Sequence, residues 1–299
     1  MKSIAITGAT SMIGAALARR AVKEGIQVLC VVRKDSARLD NLPKSDLMKI
    51  EYCNVNEYSH LTADMRCDVF YHLAWDKTSV TTRGDVGTQA MNIQYTLDAV
   101  HLANRLGCRK FIGAGSQAEY GLVAEPLKSG TPANPQSGYG VAKYAAGKLS
   151  RLLCAELNMQ FNWMRILSIF GPLDGPHTLI MYTINELRAG RQPELTKCEQ
   201  IWDYLYCDDA AKALLAVGEK GIDGKTYPLG SGNGRKLSEY LESIKNIAAP
   251  DITLQFGKKE YYPHQPMYLC ADISELTADT GWKPELSFEE GIKKIAAGL

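Results

Sequence analysis

Over its first 170 residues the chain alternates between two periodicities. Apolar, often β-branched runs at 3–7, 26–32, 47–51, 68–73, 109–114 and 161–167 are separated by helix-like stretches at 11–24, 57–64, 88–106 and 137–157. Strands that alternate with helices pair in parallel through right-handed crossovers. A continuous apolar run such as Val28-Leu29-Cys30-Val31-Val32 implies burial on both faces. The pattern predicts an α/β fold with a doubly wound parallel sheet. At 299 residues, 45% of them hydrophobic, the chain can bury such a core.

After residue 170 the rhythm changes. Gly171-Pro172-Leu173-Asp174-Gly175-Pro176 is a breaker cluster. Helices are predicted at 178–189, 208–219, 236–248 and 287–297, with short strands near 226–229, 252–256 and 267–270 and a glycine-rich loop at 230–234. Residues 1–170 are expected to form the first domain, with 201–219 returning to it. Residues 171–299 mainly form a smaller, mixed α/β lobe over the carboxyl ends of the strands, where open sheets bind ligands.

Lys plus Arg is 34 and Asp plus Glu is 33, so a net charge of +1 gives no footprint for nucleic acid or an anionic membrane. No apolar run approaches the roughly 18 residues of a membrane span. The N-terminus reaches Gly8 too soon to hold the apolar region of a signal peptide. The expectation is a cytoplasmic protein with a small-molecule partner. The closest of the eight cysteines are nine residues apart, so a metal site is not expected and the thiols read as reduced core residues.

Ile4-Ala5-Ile6-Thr7-Gly8-Ala9-Thr10-Ser11-Met12-Ile13-Gly14 reads as strand, tight turn and helix start. Gly8 allows an unusual backbone conformation, and Gly14 allows close helix–strand contact. Thr10, Ser11, Met12 and Ile13 lie between them, where free N–H groups and the helix dipole favour a phosphate. The second strand ends at Arg33-Lys34-Asp35. A cation there suits a ribose 2′-phosphate, hence NADP(H) over NAD(H), although Asp35 also stands within reach of the ribose.

Tyr139 and Lys143 are four residues apart, on one face of a predicted helix. A free phenol has a pKa near 10, and a neighbouring ammonium lowers it toward general acid–base work. Ser116 closes the predicted strand before it, at the sheet edge where its hydroxyl could share a substrate oxygen with Tyr139.

With these three elements in order, the sequence resembles the extended short-chain dehydrogenase/reductase family, in its nucleotide-sugar epimerase/dehydratase/reductase branch. Tyr71-His72-Leu73-Ala74-Trp75 resembles the H-L-A segment after the fourth strand, and Asn92 the helix asparagine of the active-site water network. Ser116-Gln117-Ala118-Glu119-Tyr120-Gly121 resembles S-x-x-x-Y-G, and Arg165-Ile166 through Gly171-Pro172 resembles R-x-x-N-x-Y-G-P. Trp202 through Asp209 resembles R-D-F-x-y-V-D-D, and Gly281-Trp282-Lys283-Pro284 the C-terminal signature.

The resemblance implies about seven parallel strands in a Rossmann sheet binding NAD(P), and hydride transfer with Tyr139 as acid/base, Lys143 as its electrostatic helper and Ser116 as hydrogen-bond partner. It places Asn54 and Val55 beside the adenine and Leu73, Ala74, Trp75, Asn92 and Ile166 along the cofactor. It implies a homodimer through 88–106 and 137–157.

The departures inform too. Ser11 replaces the middle glycine of the turn. Gln117 and Ala118 stand where the 4,6-dehydratases carry an Asp-Glu pair, and neither can shuttle a proton. Ser168 and Trp202 replace an asparagine and an arginine on the substrate side. A second arginine before 272–274 is absent, and His264-Gln265-Pro266 stands near there. Arg188, Arg191, Arg235, Lys258 or Lys259 could substitute. Dehydration is therefore disfavoured. The first reading is an NADP(H)-dependent reductase of a 4-keto-deoxysugar attached to a nucleotide. The alternatives are an NAD-dependent nucleotide-sugar epimerase and a dinucleotide-sensing regulator. His72 reads as a buried structural group, and Asp208-Asp209 as a helix start rather than a metal pair.

Overall fold

The computed structural model describes residues 1–78, 82–262 and 265–298. His264 lies outside the described residues. In chain order the elements are β1 (Ser3–Thr7), α1 (Met12–Lys23), β2 (Gln27–Val32), β3 (Met48–Tyr52), β4 (Val69–His72), α2 (Val86–Arg105), β5 (Lys110–Ser116), α3 (Gly138–Glu156), β6 (Gln160–Ile166) and β7 (Ser168–Phe170). There follow α4 (Leu179–Arg188), β8 (Ile201–Trp202), β9 (Tyr204–Tyr206), α5 (Cys207–Lys220), β10 (Thr226–Leu229), β11 (Arg235–Lys236), α6 (Leu237–Ala248), β12 (Tyr268–Leu269), α7 (Ser274–Thr280) and α8 (Phe288–Gly298).

Seven strands form one parallel sheet in the order β10-β6-β5-β4-β1-β2-β3. The strand order reverses between β1 and β4, the place where such sheets bind ligands. Alternate residues of one strand enter different cores. Ile4 and Ile6 join the core under α1 and α5, whereas Ala5 joins the core under α2 and α3. The uninterrupted apolar runs are thus explained by cover on both faces. A three-stranded sheet (β11-β8-β12) and a two-stranded one (β7-β9) carry the remaining strands.

Two predicted elements differ. Residues 57–64 do not form a helix. A single 3-10 turn, Val55–Glu57, starts with an Asn54/Glu57 capping box. It ends there because the Arg105 guanidinium takes the carbonyls of Tyr58 and Leu61 from across the chain. The run 252–256 is not a strand. Its neighbour, residues 195–199, contains Cys198 at φ 54°, a conformation that breaks a ladder. Only single bonds such as Gly257 N–H to the Thr196 carbonyl (3.0 Å) join the two segments. All eight cysteines are free and buried. Among the described residues no helix is long and apolar enough to cross a membrane, and no group of His, Cys, Asp and Glu is arranged to hold a metal.

Candidate active site

The turn after β1 is built by exclusion of side chains. Gly8 has φ +70°, and a Cβ there would stand 2.8 Å from the Ala74 nitrogen. A Cβ on Gly14 would stand 2.3 Å from the Gly8 carbonyl oxygen. The turn therefore abuts the Leu73-Ala74 segment across the switch point, as the two motifs required. Ser11 caps α1 by accepting from the Gly14 N–H at 3.1 Å. It contributes a cap where the family has a glycine. The first-turn N–H groups of Met12 and Ile13 have no helical partner, so the cradle keeps donors for an anion. These residues fit a dinucleotide pyrophosphate.

The β2 end lies beside this cradle, with the Thr10 and Ser36 hydroxyls 3.4 Å apart. Lys34 is bound to Glu57 at 2.9 Å. Arg33 is exposed, and its side chain makes no ion pair or hydrogen bond among the described residues. Asn54 caps the turn at 55–57 and accepts weakly from the Lys34 N–H (3.4 Å), while Val55 packs on the α2/α3 core.

The reactive-group candidates converge on the carboxyl ends of β4 and β5. Ser116 ends β5. Its Oγ accepts from the Ala118 N–H at 3.2 Å, which leaves its O–H to donate. Gly140 lets α3 approach, since a Cβ there would stand 2.4 Å from the Ala118 oxygen. That contact brings Tyr139 to Ser116. Burial raises the Tyr139 pKa above its ordinary value, and the interaction with Ser116 and the nearby Arg83 charge oppose this.

Here the electrostatics differ from the sequence expectation. Tyr139 is shifted up rather than acidified, and Lys143 is turned toward other partners. Its Nζ donates to the Ala114 carbonyl at 2.7 Å and lies 3.7 Å from the Trp75 ring centre. Burial brings its pKa down to about 7. Arg83 is the nearer cation to the phenol ring, at 4.5 Å against 5.9 Å for Lys143. Sequence reasoning missed it because a loop residue carries no periodicity.

Other candidates act as supports. Asn92 spends its amide on Asp76, accepting at 2.8 Å and donating at 3.1 Å, so it fixes the segment after β4. The Trp75 indole donates to Gln89 at 2.8 Å. Ile166 pairs in register with Ser116. His72 is buried, 2.9 Å from the Thr7 hydroxyl, with its pKa brought down to about 3 by burial; it is a neutral structural group. Asp209 is buried and accepts the N–H groups of Glu285 and Leu286, which ties α5 to the C-terminal signature.

Glu119 has a role that the motif pattern does not announce. It is 1% exposed and accepts from the Ser116 N–H (2.8 Å), the Trp163 indole (2.9 Å) and Arg165 Nε (2.8 Å). The Ser116-x-x-Glu119 capping spacing was the available signal. On the substrate side, the two replacements satisfy each other: the Trp202 indole donates to the Ser168 hydroxyl at 2.8 Å. Gln117 is half-buried, with its amide making no hydrogen bond among the described residues.

The chain is similar to several known proteins over nearly its whole length. The chain is similar to dTDP-glucose 4,6-dehydratase of Escherichia coli, 26% identical over 97% of this chain and 91% of that one. It is similar to CDP-abequose synthase of Salmonella muenchen, 24% identical over 98% and 97% of the two chains. The structure of UDP-glucose 4-epimerase from Thermotoga maritima, solved with UDP-glucose, superposes with a TM-score of 0.88 at 21% identity, covering 99% of this chain and 97% of that one. The sequence model of the NAD dependent epimerase/dehydratase family matches residues 4–230, and the chain belongs to that family of enzymes.

Proposed function

We propose that the chain is an NADP(H)-dependent reductase that converts a nucleotide-activated 4-keto-deoxysugar to the alcohol. The observation that carries the cofactor preference is Arg33, exposed and without a partner among the described residues, beside the glycine turn. A planar guanidinium suits a 2′-phosphate better than a ribose hydroxyl.

When bound at the glycine turn, held by the N–H groups of Met12 and Ile13 and by Arg33, the dinucleotide would supply a hydride for the keto carbon. Tyr139 gives its phenolic proton to the carbonyl oxygen as the charge develops. Burial keeps that phenol protonated, which suits a donor. Ser116 donates its O–H to the same oxygen and orients it. Lys143, held between the Ala114 carbonyl and the Trp75 ring, stands 5.9 Å from the phenol ring centre, where its charge would stabilise the phenolate left after proton transfer. Gln117 and Ala118 offer no acid pair, so elimination of water is not part of this reading. The sugar nucleotide lies between the sheet edge and the lobe formed mainly by residues 171–299, with Gln117, Ala118, Ser168 and Trp202 beside it.

A second reading is an epimerase that keeps NAD and returns the hydride to the other face. The family description and Asp35, two residues beyond Arg33, favour it. Mixing the protein with NADPH and a panel of 4-keto sugar nucleotides separates the two. Stoichiometric loss of absorbance at 340 nm supports reduction, whereas tightly retained NAD and no net oxidation support epimerisation. Arg33→Ala should weaken NADPH by about 10-fold or more while leaving NADH nearly unchanged.

The subunit reading is a homodimer through α2 and α3. Val86, Met91, Val141, Leu149 and Leu152 leave large apolar surfaces exposed on these two helices. Leu149→Glu with Leu152→Glu should yield a monomer in sedimentation. Eight free thiols fit a reducing, cytoplasmic setting.

A further inference from the structure

A cavity of about 390 Å³ lies behind the catalytic helix, lined by none of Ser116, Tyr139 or Lys143. Its helical wall is Tyr144, Gly147, Lys148 and Arg151 of α3. At 3.6 residues per turn this face lies roughly a third of a turn around from Tyr139 and Lys143. The opposite wall comes from β6 and the loop at 129–133.

The charges in it do not cancel. Glu119 is matched by Arg165, and Glu275 by Lys225, which Asp279 also holds at 2.6 Å. Lys148 and Arg151 have no carboxylate partner among the described residues; Lys148 lies 5.4 Å from the Tyr144 ring centre. Arg165 is only 6% exposed. It spends Nε on Glu119 and shares Tyr120, which leaves some of its five donors for the cavity. The Ser129 hydroxyl is buried there without a partner among the described residues.

We propose that this cavity is a second ligand site, for a small phosphorylated metabolite. Its volume suits a small ligand. Two unmatched cations correspond to a phosphate dianion, and guanidinium groups bind phosphate in a bidentate way. Ser129 completes a donor set that approaches from several sides, as a tetrahedral oxyanion requires. Glu119 forms the inner wall and holds the Ser116 N–H, so a ligand drawing on Arg165 sits one side chain from Ser116.

Isothermal titration of inorganic pyrophosphate into the full chain, with the dinucleotide site filled by NADPH, tests this. One saturable site is expected. Lys148→Ala with Arg151→Ala should weaken it at least about tenfold, and Ser129→Ala about threefold, while Arg33→Ala leaves it unchanged. Lys148 and Arg151 are exposed, so unchanged thermal unfolding verifies that the double variant is folded. Absence of saturable binding up to about 10 mM, or equal affinity in parent and double variant, overturns the proposal. UDP as a second probe separates a nucleotide from a free phosphoanion, because only a probe that uses this cavity loses affinity in the double variant.

Discussion

The turn that follows β1 and the Ser168–Trp202 pair both stand where the family resemblance leads one to expect a ligand, yet they keep the family pattern to different degrees. At the turn the demand falls on the backbone. Gly8 and Gly14 face main-chain atoms at 2.8 and 2.3 Å from where a Cβ would be, so other residues are excluded whatever the substrate. At Ser168 and Trp202 the demand falls on side-chain polarity. There Ser168 and Trp202 satisfy each other through the 2.8 Å bond. A backbone demand fixes the residue type, whereas a side-chain demand admits a matched pair in place of the expected one.

The largest expected effect lies between the two regions. Tyr139→Phe removes the proton donor but keeps the ring against Trp75. Turnover should fall by about 10²–10⁴, with dinucleotide affinity within roughly twofold. Retention of full turnover would end the role assigned to this phenol. Next in size, Gly14→Ala breaks the backbone side of the comparison. Its Cβ meets main-chain atoms that cannot rotate away, and about 1–3 kcal/mol should be lost in urea unfolding, together with dinucleotide binding. Gly84→Ala, with nothing within 4 Å of the new Cβ, is the control and should leave the midpoint unmoved.

Lys143 gives a third effect, read through pH. Its ordinary value is 10.5 and burial brings it to about 7 in the folded chain. Between those values the unfolded chain binds the extra proton. Stability should therefore rise with pH above 7, by about 1.4 kcal/mol per unit from this group, and the penalty should be constant below pH 7. Urea midpoints at pH 7 and 8.5 in the parent and in Lys143→Met measure it. A parent slope that survives in the variant belongs to another group.

The sheet was legible because burial on both faces writes itself as uninterrupted apolar runs, as in 28–32. Parallel pairing follows from the alternation of strands and helices, but the count of about seven came with the family resemblance, and the strand order is written in no local pattern. Residues 57–64 misled because their carbonyls are taken by Arg105, 44 to 47 positions away, and no local pattern reports such a bond. The same holds in the candidate site. Tyr139, Lys143 and Ser116 were found by spacing and strand ends. What surrounds them was not: Arg83 comes from a loop, and Glu119 reaches Trp163 and Arg165 on another strand. The sequence identified which groups meet. The direction in which each pKa moves required knowing how deeply they are buried.

The smallest expected effect tests the side-chain half of the comparison. Ser168→Ala strands the half-buried Trp202 N–H, which should cost about 1 kcal/mol of stability in urea unfolding. If the pair is a matched replacement, repairing both members should behave differently from breaking one. Ser168→Asn with Trp202→Arg restores the family's polar groups together. The double variant should regain the lost stability and bind UDP about threefold to tenfold more tightly by isothermal titration, because the added cation faces the substrate side. Equal UDP affinity in parent and double variant would mean that this corner does not touch the nucleotide. The exchange would then be a packing change, and side-chain drift at Ser168 and Trp202 would say nothing about which substrate the chain takes.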